Sequence, residues 1–422
     1  MPRFRAALLV TALCATALAT PLAAKSPEET AAAALAAAPV WDGHNDVPEQ
    51  LRGRYGNVIN QFDFTDTSKA PPTDWSGVGM HTDLPRLRKG KVGAQFWSVY
   101  VDADLPQAEA VVLTLEQIDV LKRLVARYPN DMMLATSSAD VETALKQGKI
   151  ASLMGMEGGS SIDGSLGVLR QMYDLGARYL TLTHSKTLEW ADSATDEPKH
   201  GGLTDFGKDV VREMQRIGML VDLSHVSEDT MFDALDVAQA PVIFSHSGAR
   251  GVNGHARNVP DGVLSRLKAN GGIVMVVGLP GYLGEKRRQW GADRAGEEAR
   301  LKSLWLGQPA QVKEGMDAWM KAHPEPKVTV GDMADHIDHV RDVAGIDHIG
   351  LGGDYDGMDS GPVGMEDVTG YPALFTELAR RGYSQADLEK IASRNMMRVL
   401  KAAEAYAAAH RADPPIEYPE KG

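Results

Sequence analysis

The sequence predicts an α/β fold, a TIM (β/α)8 barrel, on three observations. Short apolar runs rich in β-forming residues recur about eight times along the chain. Amphipathic stretches of helical period separate these runs, which is typical of parallel βαβ units. Six of the runs end in His, Asp or Glu, as expected where strand ends converge on one catalytic rim. A doubly wound open sheet is the alternative, but no G-x-G-x-x-G motif follows the first run.

The predicted strands are apolar runs that end at a polar residue or a glycine. They cover residues 38–44, 93–101, 150–157, 178–184, 219–225, 241–246, 272–278 and 348–354. Helical periodicity predicts helices over 114–128, 205–218 and 227–238. Ser227 has the character of an N-cap, with Glu228 and Asp229 in the first turn. Two long segments, 51–91 and 279–327, fall outside this rhythm, and loops of that length are usually functional or interfacial.

The 422 residues suit one large barrel with insertions. Residues 1–24 are predicted to be a signal peptide, because two arginines precede a short apolar run and small residues follow it. Residues 25–37 are predicted to be a short helix or a spacer, residues 38–412 the barrel domain, and residues 413–422 a loose C-terminal tail. We therefore expect an exported protein, periplasmic or secreted. We expect no stable membrane anchor, because the apolar run is too short for a good transmembrane helix.

The charge and the cysteine usage exclude several classes of function. The formal net charge is −13 and the isoelectric point is about 5.4, which argues against nucleic acid or an anionic membrane as a partner. The only cysteine, Cys14, lies in the predicted signal peptide. A thiol nucleophile is therefore excluded from the mature protein.

The stretch WDGHNDVPEQ, residues 41–50, gives the first chemical signal. His44 and Asp46 are two residues apart, so in a strand they would point to the same side. A neutral imidazole beside a carboxylate suits a borderline cation such as zinc. The alternative is a polar strand end that happens to carry a histidine.

The ends of the other predicted strands complete a site for two ions. His225 and His246, from neighbouring strands, could hold a second zinc, and Glu157 could bridge the pair. Two ions about 3.5–4 Å apart would share one water molecule and deprotonate it near neutral pH. Asp354 remains as a proton carrier, and His184 remains as a donor toward a developing oxyanion.

The remaining histidines are predicted to be structural or solvated. His336 and His339 are three residues apart among Asp332, Asp335 and Asp338, which is typical of a solvated acidic helix face. No partner can be named from the sequence for the others, which are His81, His200, His255, His323, His348 and His410.

Eight collinear motifs resemble the membrane dipeptidase family, also called renal dipeptidases. The resemblance extends over about residues 41–400, and its motifs are WDGHND, TDLPRLRKGKVGAQFWSVYV, GMEGG, RYLTLTHS, VDLSHVS, VIFSHSGAR, RNVPDGVL and GLGGDYDG. It implies a TIM barrel of the metal-dependent amidohydrolase type, with two zinc ions per chain, that hydrolyses dipeptides. Homodimers are expected from the same resemblance.

The resemblance also implies roles for individual residues. His44 and Asp46 match the ligands of one zinc, and His225 and His246 match those of the other. The remaining matches are Glu157 with the bridging ligand, His184 with a substrate-binding histidine, Asp354 with the catalytic acid/base, and Arg257 with the arginine that binds the substrate carboxylate. Arg257 rests on the resemblance alone, because a lone loop arginine is normally solvated.

Two features depart from the animal members of this family, and two other functions remain open. Ser160 follows EGG where animal members often carry histidine, and the stretch VVGLPGYLG differs from their pattern. A related metal-dependent amidohydrolase, such as a lactonase or an acylamino acid hydrolase, is one alternative. Many of those enzymes carry H-x-H on the first strand and a carboxylated lysine as the bridge, whereas this chain has H-x-D and Glu157. A non-catalytic metal- or peptide-binding protein is the other alternative.

Overall fold

The computed structural model describes residue 2, residues 25–73 and residues 79–418. The strands of this part are β1 (Val40–Asn45), β2 (Val92–Ser98), β3 (Met132–Leu134), β4 (Ile150–Glu157), β5 (Ala177–Thr181), β6 (Leu220–Asp222), β7 (Ile243–Ser247), β8 (Ile273–Val277) and β9 (Ile349–Gly352). Its α-helices are α1 (Pro27–Ala37), α2 (Val47–Tyr55), α3 (Leu84–Lys89), α4 (Gln107–Arg127), α5 (Ser138–Lys146), α6 (Leu166–Asp174), α7 (Asp205–Ile217), α8 (Glu228–Val237), α9 (Asp261–Asn270), α10 (Pro280–Leu283), α11 (Glu285–Leu304), α12 (Pro309–Ala322), α13 (Val330–Val343), α14 (Tyr371–Arg380), α15 (Gln385–Glu389) and α16 (Asn395–Ala409).

Eight parallel strands close into a barrel, which confirms the predicted fold class. The ring runs β1, β2, β4, β5, β6, β7, β8, β9 and back to β1. It closes past β3 because β2 pairs with β4, from Ala94 opposite Ala151 to Ser98 opposite Gly155. The short strand β3 was not predicted, and it pairs with the first three residues of β4, ahead of the part of β4 that pairs with β5.

Aromatic side chains fill the interior of the barrel. The rings of Trp41 and Phe96 lie 5.9 Å apart, and those of Phe96 and Tyr179 lie 5.0 Å apart. Since β2 and β5 are not neighbours in the ring, the second contact crosses the interior. Gly155 leaves room for it, because a Cβ there would lie 1.9 Å from the Tyr179 ring. This packing carries the Tyr179 hydroxyl toward the end of β1.

The predicted helices lie outside the barrel as α4, α7 and α8. Ser227 is the N-cap of α8, and its hydroxyl accepts a hydrogen bond from the Thr230 amide at 3.2 Å. The long segment 279–327 contains three helices, α10, α11 and α12, in the loop after β8. That loop follows the carboxyl end of a barrel strand, which is the end that carries active sites in this fold.

The segment of residues 25–37, predicted to be a short helix or a spacer, is helical. It forms α1, whose N-cap Ser26 accepts a hydrogen bond from the Glu29 amide at 3.1 Å. Ala34 and Leu35 are buried in the main hydrophobic core, and the helix packs on α14 and α15. Small alanine side chains let this helix lie close to its neighbours, so it is an integral layer of the domain.

The described part of the predicted loose tail is also ordered against the domain. Arg170 Nη1 donates to the Ile416 carbonyl oxygen, and the Ile416 amide donates to Glu213 Oε2, both at 3.2 Å. The Tyr418 hydroxyl donates to Asp209 Oδ2 at 2.7 Å. Residues 413–418 therefore pack along α6 and α7, and residues 419–422 lie outside the described residues.

The predicted signal peptide, residues 1–24, lies outside the described residues apart from residue 2. Within the described ranges, no helix combines the length and the apolar character that a bilayer crossing requires.

Candidate active site

The polar residues singled out at the strand ends converge on one rim of the barrel. His246 lies within β7, Glu157 is the last residue of β4, and His44 is the penultimate residue of β1. Asp46 follows β1 as the N-cap of α2. The other three residues, His184, His225 and Asp354, lie two or three residues beyond β5, β6 and β9 respectively. All seven share the carboxyl end of the barrel because every strand in the ring is parallel.

Glu157 lies at the centre of this group. Its Oε1 atom is 3.0 Å from His225 Nε2 and 3.3 Å from His246 Nε2. Its Oε2 atom is 3.3 Å from His44 Nε2, which in turn is 3.4 Å from Asp46 Oδ2. The two carboxylate oxygens therefore face the two pairs of residues that the sequence analysis assigned to separate ions.

Buried hydrogen bonds orient two of the imidazoles toward this centre. The Tyr179 hydroxyl, which donates to the Gly43 carbonyl oxygen, lies 2.9 Å from His44 Nδ1. The Ser245 hydroxyl donates to Asp222 Oδ2 at 2.6 Å and lies 2.9 Å from His246 Nδ1. Each hydroxyl oxygen can accept the Nδ1 proton, which leaves the Nε2 lone pair directed at Glu157.

The charge states of these groups suit metal binding. Burial lowers the pKa of His225 and His246 well below the ordinary histidine value, so both are neutral, which is the form that binds metal. Burial alone would raise the pKa of Glu157, but His44, His225 and His246 hold it well below the ordinary value. Glu157 is therefore an anion among imidazoles.

His44 gives a direct test of whether the group fits a cation. Burial disfavours its charged form, yet the Glu157 and Asp46 carboxylates raise its pKa well above the ordinary value. Its Nε2 atom is buried and has no hydrogen-bond partner among the described residues. A positive charge is thus favoured at this point, and a bound cation could take the place of the proton on Nε2. Three groups of side chains each bring their donor atoms within 4.8 Å of one another, so imidazole and carboxylate donors suited to zinc are in place. The groups are His44, Glu157 and His246; Glu157, His184 and His225; and His44, Asp46 and Asp354.

Asp354 is held at the edge of this cluster in an unusual backbone conformation. Its φ angle is +62°, in the left-handed region that non-glycine residues seldom adopt, and its amide donates to the His44 carbonyl oxygen at 3.2 Å. His225 has a φ of +68°. Such conformations persist where the surroundings impose them, often at functional sites. Burial, with the neighbouring Asp46 and Glu157 carboxylates, raises the pKa of Asp354 to about 8.

Arg257 lies buried on the opposite wall, only 1% exposed. Its Nη1 donates to Ser247 Oγ at 3.3 Å and its Nη2 donates to the His246 carbonyl oxygen at 3.2 Å. Its guanidinium carbon lies 5.4 Å from the centre of the Tyr282 ring. The Nε atom has no hydrogen-bond partner among the described residues. The guanidinium is therefore fixed in place with donors to spare.

A cavity of about 350 Å³ joins these groups and is lined by further residues that were not predicted from the sequence. Its walls include Glu49, Tyr100 and Tyr282 beside the residues already described. The Tyr100 ring lies 4.8 Å from that of His184. A signal for Glu49 was available, because it lies on the first turn of a helix that begins directly at the rim. Tyr100 lies in a loop and Tyr282 in the four-residue helix α10, and neither segment has a periodicity that indicates direction.

The prediction for His336 is wrong. This side chain is fully buried: its Nδ1 accepts from the Ala249 amide at 2.8 Å and its Nε2 lies 3.0 Å from the Leu283 carbonyl oxygen. It ties α13 to the loops after β7 and β8. His339 is partly exposed, and its Nε2 lies 2.7 Å from Asp261 Oδ1.

Comparisons with known proteins agree with this architecture. The chain matches the model of the family described as "Membrane dipeptidase (Peptidase family M19)" over residues 28–414. An uncharacterized dipeptidase of Schizosaccharomyces pombe is 40% identical over 407 residues, which cover 93% of this chain and 87% of the relative.

Two solved structures share the fold. The probable dipeptidase PvdM from Pseudomonas aeruginosa has a TM-score of 0.76 at 23% identity, covering 90% of this chain and 99% of that one. A metallo peptidase from Rhodobacter sphaeroides, liganded with a phosphinate mimic of the dipeptide L-Ala-D-Ala, has a TM-score of 0.69 at 23% identity, covering 87% and 99%.

Proposed function

Because the chain belongs to the membrane dipeptidase family, peptidase family M19, and is a dipeptide-hydrolysing enzyme, we propose that it works with two zinc ions held at the barrel rim. His44 and Asp46 would hold one ion, His225 and His246 the other, and Glu157 both. The observation that carries this proposal is the position of Glu157, with one carboxylate oxygen toward each pair. When bound, the ions would supply Lewis acidity, which acidifies water and polarises a carbonyl oxygen.

Asp354 is the proposed proton carrier. Its raised pKa indicates a carboxyl group that gains and releases a proton more readily near neutral pH than an exposed aspartate does. It would accept the proton of the attacking water and pass it to the leaving amine nitrogen as the C–N bond breaks. The environment of His44, Asp46 and Glu157 would keep this proton inside the site.

His184 and Arg257 are proposed to hold the substrate. Burial lowers the pKa of His184, so its neutral ring can donate one N–H to the oxygen of the tetrahedral intermediate. Arg257 would bind the terminal carboxylate through the donors that the protein leaves free. One residue would then lie between the scissile bond and the carboxylate, which limits the substrate to dipeptides.

Hydrolysis of a simple dipeptide, with metal content measured in parallel, tests the proposed function. We expect the purified protein to hold two zinc ions per chain, to cleave alanyl-alanine, and to lose that activity with a chelator and regain it with zinc. Activity that survives complete removal of metal would contradict the metal-dependent mechanism. A single ion per chain at saturating zinc would contradict the two-ion centre.

We also propose that the protein is exported and forms a homodimer. Export is supported by the signal-like residues 1–24, and the dimer by family analogy. Mass spectrometry of the protein from its native host should find the N-terminus near Lys25, and light scattering should give twice the chain mass. An intact Met1 would contradict export, and a monomer mass would contradict the dimer.

A further inference from the structure

Glu49 is a carboxylate in the substrate cavity that the proposed mechanism does not use. It lies on the first turn of α2, three residues after Asp46, and is half-buried in the cavity wall. Among the described residues, its carboxylate makes no hydrogen bond and no ion pair. Charged groups in such a position normally have a partner, so the site favours one from outside the protein.

The position of Glu49 favours a cation as that partner. Burial is the main cause that raises the pKa of Glu49 to about 8, so its ionised form needs a counter-charge in the cavity. Arg52 is the nearby protein cation, but it forms no ion pair with Glu49. An ammonium or guanidinium group entering the cavity would stabilise the ionised form of Glu49 and give it the partner that the protein does not provide.

The position of Glu49 relative to Arg257 indicates which part of a substrate would meet it. Tyr100 follows β2 and Arg257 follows β7, and these two strands lie diametrically opposite in the ring of eight. Glu49 follows β1, the neighbour of β2. A dipeptide whose carboxylate lies at Arg257 therefore directs its N-terminal residue toward Glu49 and Tyr100.

The distance along α2 favours a side chain over the α-ammonium. Residues three apart on a helix have Cβ atoms about 5–6 Å apart, so Glu49 lies one turn farther from the centre than Asp46. The α-ammonium is one carbon from the scissile carbonyl and stays beside Asp46 and Asp354. A lysine-length side chain could extend along the Tyr100 ring to Glu49, with its methylene groups against the ring.

We propose that Glu49 selects dipeptides with a basic side chain, such as lysine, on the N-terminal residue; this inference rests on the proposed dipeptidase function. The ammonium group of the substrate side chain donates charge-assisted hydrogen bonds to the Glu49 carboxylate, and the two charges neutralise each other in the complex. Charge-assisted hydrogen bonds in partly buried sites give about tenfold or greater discrimination.

The test compares lysyl-alanine with norleucyl-alanine, whose side chain has nearly the same length but no charge. The zinc-loaded wild-type enzyme should show a kcat/KM about tenfold or more higher for lysyl-alanine. Glu49→Gln should remove most of this preference by lowering kcat/KM for lysyl-alanine far more than for norleucyl-alanine. Glu109→Gln is the matched control, because Glu109 is exposed on α4 and does not line the cavity. That control should keep the full preference.

The outcomes separate this inference from the proposed function. If neither dipeptide is cleaved, the dipeptidase function fails and the inference fails with it. If wild type cleaves both at equal rates, only the inference is overturned, and this result needs no variant to fold. If Glu49→Gln slows both substrates equally, Glu49 acts on the common α-ammonium or on the metal centre, and the side-chain selection is overturned.

Discussion

Removing the charge of Arg257 should abolish the distinction between a dipeptide and its C-terminal amide. The guanidinium has five N–H donors, of which the protein uses two, for Ser247 Oγ and the His246 carbonyl oxygen. Nε is buried, so one N–H on each terminal nitrogen remains, enough for a bidentate contact with a terminal carboxylate. Arg257→Met keeps most of the buried volume and removes the charge.

The structure sets the size of the expected effect. Arg257 is 1% exposed, so its charge is poorly screened by solvent. Net hydrogen bonds to charged groups contribute about 1.5–3 kcal/mol each, and part of this remains when an amide oxygen replaces the carboxylate. A loss of about 2–4 kcal/mol corresponds to roughly 30–1000-fold in kcat/KM. Wild type should therefore cleave alanyl-alanine faster than alanyl-alanine amide by about that factor.

The assay measures kcat/KM for the free acid and the amide in wild type and in Arg257→Met. The variant should lose activity on the free acid and show a ratio near one. Arg266→Met is the control, since it removes an exposed guanidinium on α9 that bonds Asp236 outside the cavity. Equal cleavage of acid and amide by wild type, or a ratio that survives in Arg257→Met, would refute the role of Arg257.

Three further predictions concern the metal centre and the proton carrier. Glu157→Gln should lower bound zinc below two per chain by elemental analysis, because a neutral amide balances two dications poorly; two retained ions with full activity would contradict this. Asp354→Asn should keep both ions and lower kcat by about 10²–10⁴-fold. Only the ionised carboxylate accepts a proton, so the wild-type rate should fall as pH drops through the pKa of Asp354. Bound cations would shift that pKa below the metal-free value of about 8. The Asp354→Asn variant should not show this acid-side fall in rate. Because the raised pKa of His44 keeps it protonated without metal, zinc binding should release protons, and zinc affinity should weaken as pH falls. Calorimetric titrations in buffers of different ionisation enthalpy measure the proton release. No proton release would count against His44 as a ligand.

The convergence of the polar strand ends could be predicted because a parallel barrel brings all carboxyl ends to one rim. Residues as distant as His44 and His246 needed only the fold class to be placed together. Glu157 can lie between the two pairs because β4 is one strand removed from β1 on one side, across β2, and one strand removed from β6 on the other, across β5. This placement depends on topology and not on loop conformation.

The cavity wall could not be predicted in the same way. Arg257 and Tyr100 lie in loops, and Tyr282 lies in the one-turn helix α10. The direction of such segments depends on tertiary hydrogen bonds, such as those from Arg257 to Ser247 and His246. Arg257 entered only through the family resemblance. Loop residues of these types are solvated in most proteins, so residue type alone carries little information.

The error on His336 has another cause, which is that polarity was taken as a sign of exposure. His336 lies in an acidic helix, yet it is buried because α13 packs between the barrel and the loops that carry Arg257 and Tyr282. The segment 25–37 has little contrast between its faces, yet Ala34 and Leu35 are fully or nearly fully buried. Tertiary hydrogen bonds can bury a polar side chain, and short side chains can bury a helix whose sequence shows no apolar face.

The ligand set also has a mechanical consequence. His44, Glu157, His225 and His246 come from four strands, β1, β4, β6 and β7, that are far apart in the chain. Ions held among them would act as cross-links that close several long loops at one point, and closing long loops removes entropy from the unfolded chain. The only cysteine of the sequence is Cys14, so no disulfide can cross-link the strands of the barrel. The ions would then stabilise the carboxyl end of the barrel as well as take part in catalysis. Loss of metal would destabilise the barrel at the end where substrate enters.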